Sequence, residues 1–148
     1  MSTSLRKAFH KMMKSRLPDF QKAGTDFGGI LYRKRDIEAK RYIFVLFYPD
    51  PKFDRFTIEL ASNDGPQFPF QLLPGDQVEG ASRVRIRKFL PKGHDGWWNL
   101  TSSHEVDIKR FQESLEDVEG GLVRMPAAVE DAMEQLRSAL RAFVHSLN

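Results

Sequence analysis

The sequence contains no cysteine and has no long apolar run. The missing thiols exclude a disulfide framework, a thiolate nucleophile and a thiolate metal site. The longest apolar run, at residues 42–48, is far shorter than the roughly 20 residues that a membrane-spanning helix needs. The first twenty residues carry charges throughout, unlike a secretory signal. We therefore expect a cytoplasmic protein without a membrane span.

Motifs that would identify an enzyme are also missing. There is no phosphate-binding glycine loop, dinucleotide fingerprint or nucleophile elbow. The histidines, His10, His94, His104 and His145, are not spaced as zinc ligands. His94 and Asp95 lie between two glycines, where turn formation explains them better than proton transfer. We predict a protein with no enzymatic activity, no bound metal and no cofactor.

The length and charge indicate one domain that is electrostatically uneven. A chain of 148 residues that is 41% hydrophobic can bury one core, so we expect a single domain over 1–148. The formal net charge is only +3. Residues 1–52 carry 12 Lys and Arg against 5 Asp and Glu, and residues 101–148 carry 5 against 9. The chain is basic at its start and acidic at its end.

The first and last parts of the chain have helical periodicity. The first helix should end near Pro18, and its apolar positions are Leu5, Ala8, Phe9, Met12, Met13, Leu17 and Phe20. We expect this face to pack on a sheet, although a membrane surface or a targeting presequence would use the same pattern. Ser102 and Glu105 predict a capped helix that stops at Gly120 and Gly121.

A last helix is predicted to open at Pro126. Its apolar seam consists of Val129, Met133, Leu136, Leu140, Phe143 and Leu147. This seam should pack within the domain, and a homodimer through the same helix is the alternative.

The middle of the chain has the patterns of β-strands. A short strand at 30–32 precedes a central strand at 42–48 that is apolar on both faces, and Phe56, Ile58 and Leu60 alternate on its antiparallel partner. Residues 62–80 are expected to form a long loop, either fixed on the core by its apolar side chains or exposing them as a contact patch. The predicted class is α+β, with an N-terminal helix, about five antiparallel strands and two C-terminal helices.

The stretch 83–100 holds the strongest candidates for a binding surface. Arg83, Arg85 and Arg87 alternate with apolar residues, as on a half-buried strand, and the chain turns before Trp97 and Trp98. We predict a hairpin with apolar groups on one face and a cationic row with one indole on the other.

This surface has two possible binding uses and one purely structural explanation. Arginine with tryptophan is the composition of protein interface hot spots. Cations beside stacking rings also hold single-stranded nucleic acid. The arginines would instead be neutralised if they paired with acids of the C-terminal helices.

The chain resembles an uncharacterised bacterial domain family in its N-terminal amphipathic helix, its aromatic strand at 42–48, its stretch 83–100 and its trailing pair of helices. The shared motif falls on Arg85, Ile86, Arg87, Asp95, Trp97 and Trp98. The resemblance covers most of the chain, but the shared motif is short. It implies a small cytosolic protein without assigned activity, and some members are thought to accompany polymorphic toxin systems as immunity proteins. The sequence therefore predicts a non-enzymatic module that binds a protein, a toxin or another acidic surface. Single-stranded nucleic acid is the alternative ligand.

Overall fold

The computed structural model describes residues 2–25, 28–100 and 120–147. These residues form two helices, seven strands and a 3₁₀ turn at Ile86–Phe89. The helices are α1 (Ser2–Arg16) and α2 (Gly120–Ser146), and the strands are β1 (Gln21–Gly24), β2 (Ile30–Asp36), β3 (Arg41–Asp50), β4 (Arg55–Asn63), β5 (Gln77–Val78), β6 (Ala81–Arg85) and β7 (Trp97–Asn99).

The strands form one antiparallel sheet in the order β1, β2, β3, β4, β6, β5. One edge of β4 pairs with β3 along its whole length. The other edge is shared, because β7 pairs with the start of β4 and β6 pairs with its end. The two segments that carry the candidate residues are therefore neighbours on the same edge of β4.

Both helices cover one face of the sheet. Phe9 of α1 is fully buried and stacks on Phe47 of β3, with ring centroids 4.2 Å apart. The α2 residues Val129, Met133 and Leu136 are buried in the same core. This confirms that the α1 stripe packs on the sheet. It also confirms that the α2 seam packs within the domain, so these side chains are not available to a second copy of the chain.

The opposite face of the sheet has a smaller apolar cluster. Phe44 and Leu46 of β3 point to this side, and Phe68 from the long loop covers Phe44 in an edge-on contact at 5.7 Å. The prediction that residues 42–48 form a central strand covered on both faces is therefore confirmed. The long loop is fixed on the core by the buried Phe68, which confirms the first of the two alternatives, while Leu73 is 71% exposed.

Several finer predictions are wrong. The described residues contain seven strands rather than about five. The two strands that were not predicted, β1 and β5, are short and have no apolar alternation. The final helix begins at Gly120, not at Pro126. Proline costs roughly 3 kcal/mol inside a helix, and the buried α2 face that follows offsets this cost. The helix predicted to open at Ser102 lies outside the described residues. Its predicted stop at Gly120 and Gly121 is wrong, because both glycines belong to α2.

The predicted hairpin between the arginine segment and the tryptophans is also wrong. Strand β6 ends at Arg85, and neither it nor the 3₁₀ turn pairs with β7. A strand pairs with whichever neighbouring strand has an unpaired edge. The edge of β4 that does not pair with β3 is long enough to pair with both β6 and β7. The helices in the described ranges contain no apolar stretch long enough to cross a bilayer.

Candidate functional site

The register of β4 gathers the candidate residues on one face of the sheet. Thr57 lies opposite Trp97, and Glu59 lies opposite Arg85. Arg83 occupies the next position on the same side, opposite Ala61. Because residues directly opposite each other in an antiparallel pair share a face, Trp97, Arg85 and Arg83 all project away from the helices. We call this side of the sheet the arginine face.

Arg83 is held firmly by its surroundings. Its guanidinium donates to Glu59 Oε1 at 2.7 Å and to the backbone oxygen of Leu72 at 2.8 Å. It also lies 5.1 Å from the ring of Phe68. The Arg83 and Glu59 side chains are only 15% and 12% exposed. Arg83 therefore connects the long loop to the sheet, and its charge is neutralised within the fold.

Arg85 and Arg87 are both exposed and have no ion pair within the described ranges. Arg87 is not on the strand, because the chain enters the 3₁₀ turn at Ile86. The turn packs closely against the loop before β7: Gly96 has a φ of +85°, and a methyl group there would lie 3.0 Å from Arg87 Cβ. Glycine at position 96 thus allows the Arg87 turn to lie beside the tryptophan segment.

Trp97 is half-buried on the arginine face and carries a guanidinium on its ring. The Arg55 Cζ lies 3.9 Å from the indole centroid, and Arg55 Nε donates to Asp50 Oδ2 at 3.1 Å. The carboxylate fixes the guanidinium, and the guanidinium covers one face of the indole. This cation–π contact holds the ring in one position.

Trp98 points to the other side of the sheet, into the core. It is 5% exposed and stacks on Phe56 with ring centroids 5.5 Å apart. Its indole Nε1 donates to Asp131 Oδ2 of α2 at 2.9 Å. The prediction that the two tryptophans put one indole on each face is confirmed, and Trp97 is the one that remains accessible.

His94 and Asp95 form the turn before β7. His94 Nδ1 accepts the amide of Gly96 at 3.0 Å, and Asp95 Oδ1 accepts the amide of Trp97 at 2.9 Å. These are the bonds expected of turn residues, so this feature of the sequence is explained by local structure.

Two further arginines on this face were not among the sequence candidates. Arg33 and Arg35 of β2 point to the arginine face, where their guanidinium groups lie 5.5 and 4.8 Å from the ring of Tyr42. Arg33 also donates to the backbone oxygen of Pro66 at 2.7 Å. The strand predicted at 30–32 therefore continues to Asp36. Residues 33–36 are all charged, so no apolar alternation reveals this extension in the sequence.

The arginine face therefore carries an excess of positive charge. Its cations are Arg33, Arg35, Arg55, Arg83 and Arg85. Its carboxylates are those of Asp50 and Glu59, each paired with one arginine. On the strands, five cations against two carboxylates give a local charge of +3. Beside the face, the exposed Arg87 and the exposed Asp95 carry opposite charges.

A buried tyrosine on the helical side of the sheet has a perturbed pKa. The hydroxyl of Tyr32 lies 3.0 Å from Nδ1 of His10, and burial raises the pKa of Tyr32. The pKa of His10 is lowered by burial and by the charges of Lys22 and Lys14. Both shifts favour the neutral forms of these two side chains.

No group of three or more potential metal-binding side chains occurs in the part of the chain that the structure describes. Comparison with protein-family models, with curated proteins and with solved structures found no match.

Proposed function

We propose that the chain is a non-enzymatic module that binds an acidic surface of another protein through Arg85, Arg87 and Trp97. The observation that carries the proposal is the contrast between Arg83 and its two neighbours. Arg83 is bonded on several sides, whereas Arg85 and Arg87 are exposed beside an indole and have no ion pair within the described residues. Exposed cations beside a fixed aromatic ring are typical of protein interface hot spots.

The fixed position of Trp97 supports this use. Arg55 and Asp50 hold the ring in one orientation. Less side-chain entropy is therefore lost when a partner packs against it, because the ring is ordered in advance. Arg85 and Arg87 would increase the rate of encounter with an acidic partner, and the contact would act by covering the partner's surface. The resemblance to the bacterial domain family suggests that this acidic partner is a toxin.

Single-stranded nucleic acid is the second candidate, favoured by the local charge of +3 on the arginine face. Nucleobases bind by stacking on open aromatic rings. Trp98 is buried, and one face of Trp97 already contacts Arg55. The aromatic surface left for bases is therefore small, and we place a protein partner first.

The test is a comparison of two charge reversals of equal size. In the first variant, Arg85→Glu is combined with Arg87→Glu. The control combines Lys7→Glu with Lys11→Glu, which exchanges two exposed lysines on α1, on the helical side. Both variants change the net charge by the same amount, so loss of binding in only the first cannot reflect net charge.

Each immobilised protein is exposed to nuclease-treated host lysate at moderate salt. We expect a protein that wild type and the lysine variant retain and that the arginine variant loses. The same protein should bind purified wild type directly, with an affinity that Trp97→Ala also lowers. Equal retention of every protein by all three chains would refute the proposal.

The nucleic-acid alternative is tested with a fluorescently labelled oligothymidine of 20 nucleotides. Salt-sensitive binding that the arginine variant loses and the lysine variant keeps would place nucleic acid first. We expect the two variants to differ little in this assay.

A further inference from the structure

A second surface lies away from the arginine face, where the β2–β3 turn approaches the end of α2. It is a groove of about 1000 Å³. One wall is formed by the end of β2 and the turn that follows it, and the other by the last turns of α2. This volume is at the upper end of the range for small-molecule sites.

The floor of the groove is apolar. It is formed by Phe20, Ile43 and Leu140, which are core residues, with Leu17 and Val144 beside them. At the rim, Ile37 is 77% exposed, although it is a large apolar side chain. An apolar ligand lying along the floor would contact Ile37 and remove it from water.

The rim is cationic on both walls. Lys34 lies on the sheet side, and Arg137 and Arg141 lie one helical turn apart on α2. Arg41 and Asp36 form an ion pair at 3.3 Å, so together they add no net charge to the rim. The charge of Arg35 does not face the groove, since its guanidinium lies over Tyr42 on the other side of the sheet.

Glu38 is the remaining carboxylate among the residues that line the groove. Three cations against this one carboxylate give a local charge of +2. The two walls therefore present their cations to the same space, above an apolar floor.

We propose that this groove binds a small amphiphile with an apolar chain and one anionic head group. The chain lies on the floor between Phe20 and Leu140, and the head lies between Lys34 and Arg141. A carboxylate and a phosphate monoester share this chemistry, since both accept charge-assisted hydrogen bonds from ammonium and guanidinium groups. A cationic amphiphile would meet three like charges.

The test uses dodecanoate and dodecyl phosphate below their micelle concentrations, with the full-length chain. Binding is measured by isothermal titration calorimetry, and the site is mapped by backbone amide shifts. We expect saturable one-to-one binding and shifts confined to the groove residues. Dodecyltrimethylammonium should not bind. Shortening the chain should weaken binding by about fourfold for each methylene group that leaves the apolar floor.

Two substitutions test the head-group contacts. Lys34→Glu and Arg141→Glu should each weaken binding of the anions about tenfold or more, because each removes a hydrogen bond to a charged group. Lys11→Glu makes the same charge change on an exposed α1 residue outside the groove and should change binding less than twofold. Circular dichroism checks that all three variants are folded.

The result distinguishes the head groups and can overturn the proposal. Saturable binding of either anion with loss in both groove variants supports it, and the tighter anion identifies the head group. Three results would each overturn it: no saturable binding of either anion, equal binding of the cationic amphiphile, or unchanged binding in the groove variants.

Discussion

The hydrogen bond between Trp98 and Asp131 should stabilise the fold measurably, because it joins the sheet beneath the candidate surface to α2. The indole Nε1 lies 2.9 Å from Asp131 Oδ2, and the indole is buried against Phe56. A hydrogen bond to a charged group contributes about 1.5–3 kcal/mol when both groups are buried. Asp131 is an exposed residue, so we reduce the expected value to about 1 kcal/mol.

A double-mutant cycle isolates this contribution. Trp98→Phe keeps an aromatic ring but removes the donor, and Asp131→Ala removes the acceptor. The cost of the smaller ring and the helix preference of alanine cancel in the cycle, which leaves a coupling energy of about 1 kcal/mol. The free energy of unfolding is measured by urea denaturation followed by circular dichroism, since tryptophan fluorescence changes with the mutation.

Glu134→Ala supplies the matched control, since it removes an exposed carboxylate one turn further along α2. Combined with Trp98→Phe, it should be additive within about 0.3–0.5 kcal/mol. If the Asp131 cycle were equally additive, the inference that this bond joins β7 to α2 would be wrong.

Three other predictions concern the packing of Phe44, the contrast between Arg83 and Arg85, and the pKa of His10. Phe44→Ala should cost about 3–5 kcal/mol of unfolding free energy, because Phe44 is fully buried; a urea-measured loss under about 1 kcal/mol would contradict this packing. Arg83→Ala should lower the free energy of unfolding by about 2 kcal/mol, because it leaves Glu59 without its partner. This is less than the loss expected for a fully buried ion pair. Arg85→Ala should change the free energy of unfolding by no more than about 0.5 kcal/mol. Equal values in urea would refute the distinction. NMR titration should show that the pKa of His10 in the folded protein lies below the usual 6.5. The unfolded chain then binds a proton at His10 more readily than the folded protein does. The contribution of His10 to the free energy of unfolding therefore falls as the pH drops below 6.5. Lys14→Gln should raise the pKa of His10; no change would exclude Lys14 as a cause.

Local periodicity predicted the parts of the fold that depend on burial alone. The run 42–48 is apolar on both faces because β3 lies between two apolar clusters. The alternation of Phe56, Ile58 and Leu60 follows from the packing of one face of β4 on the helices. In these segments the apolar positions of the sequence coincide with the faces of the strands that are buried.

The candidate site was only partly predictable, because strand ends and strand partners depend on distant residues. Alternation from Arg83 to Arg87 does not show that the strand stops at Arg85 and that a 3₁₀ turn follows. The pairing of β7 with β4 depends on a free edge of β4, which no local pattern reveals. Short strands such as β5 have too few residues to show any period.

The ionic partner of Arg83 was also beyond local patterns. Acids of the C-terminal helices were one expected source of partners, but α2 lies on the opposite face of the sheet. The partner is Glu59, which is one diagonal step away on β4. A neighbour of this kind becomes visible only when the register of the two strands is known.

Arg83 and Arg85 are two residues apart on one strand, yet only Arg83 has contacts that stabilise the fold among those described. Arg83 connects the long loop to Glu59, so a substitution there would alter both the loop and the sheet. Loss of binding in such a variant would not distinguish a lost contact from a displaced loop. Arg85 and Arg87 have no described ion pair that folding would lose. Charge reversal at these two positions therefore changes the proposed interface while the core, the long loop and the Trp98 contact to α2 stay intact.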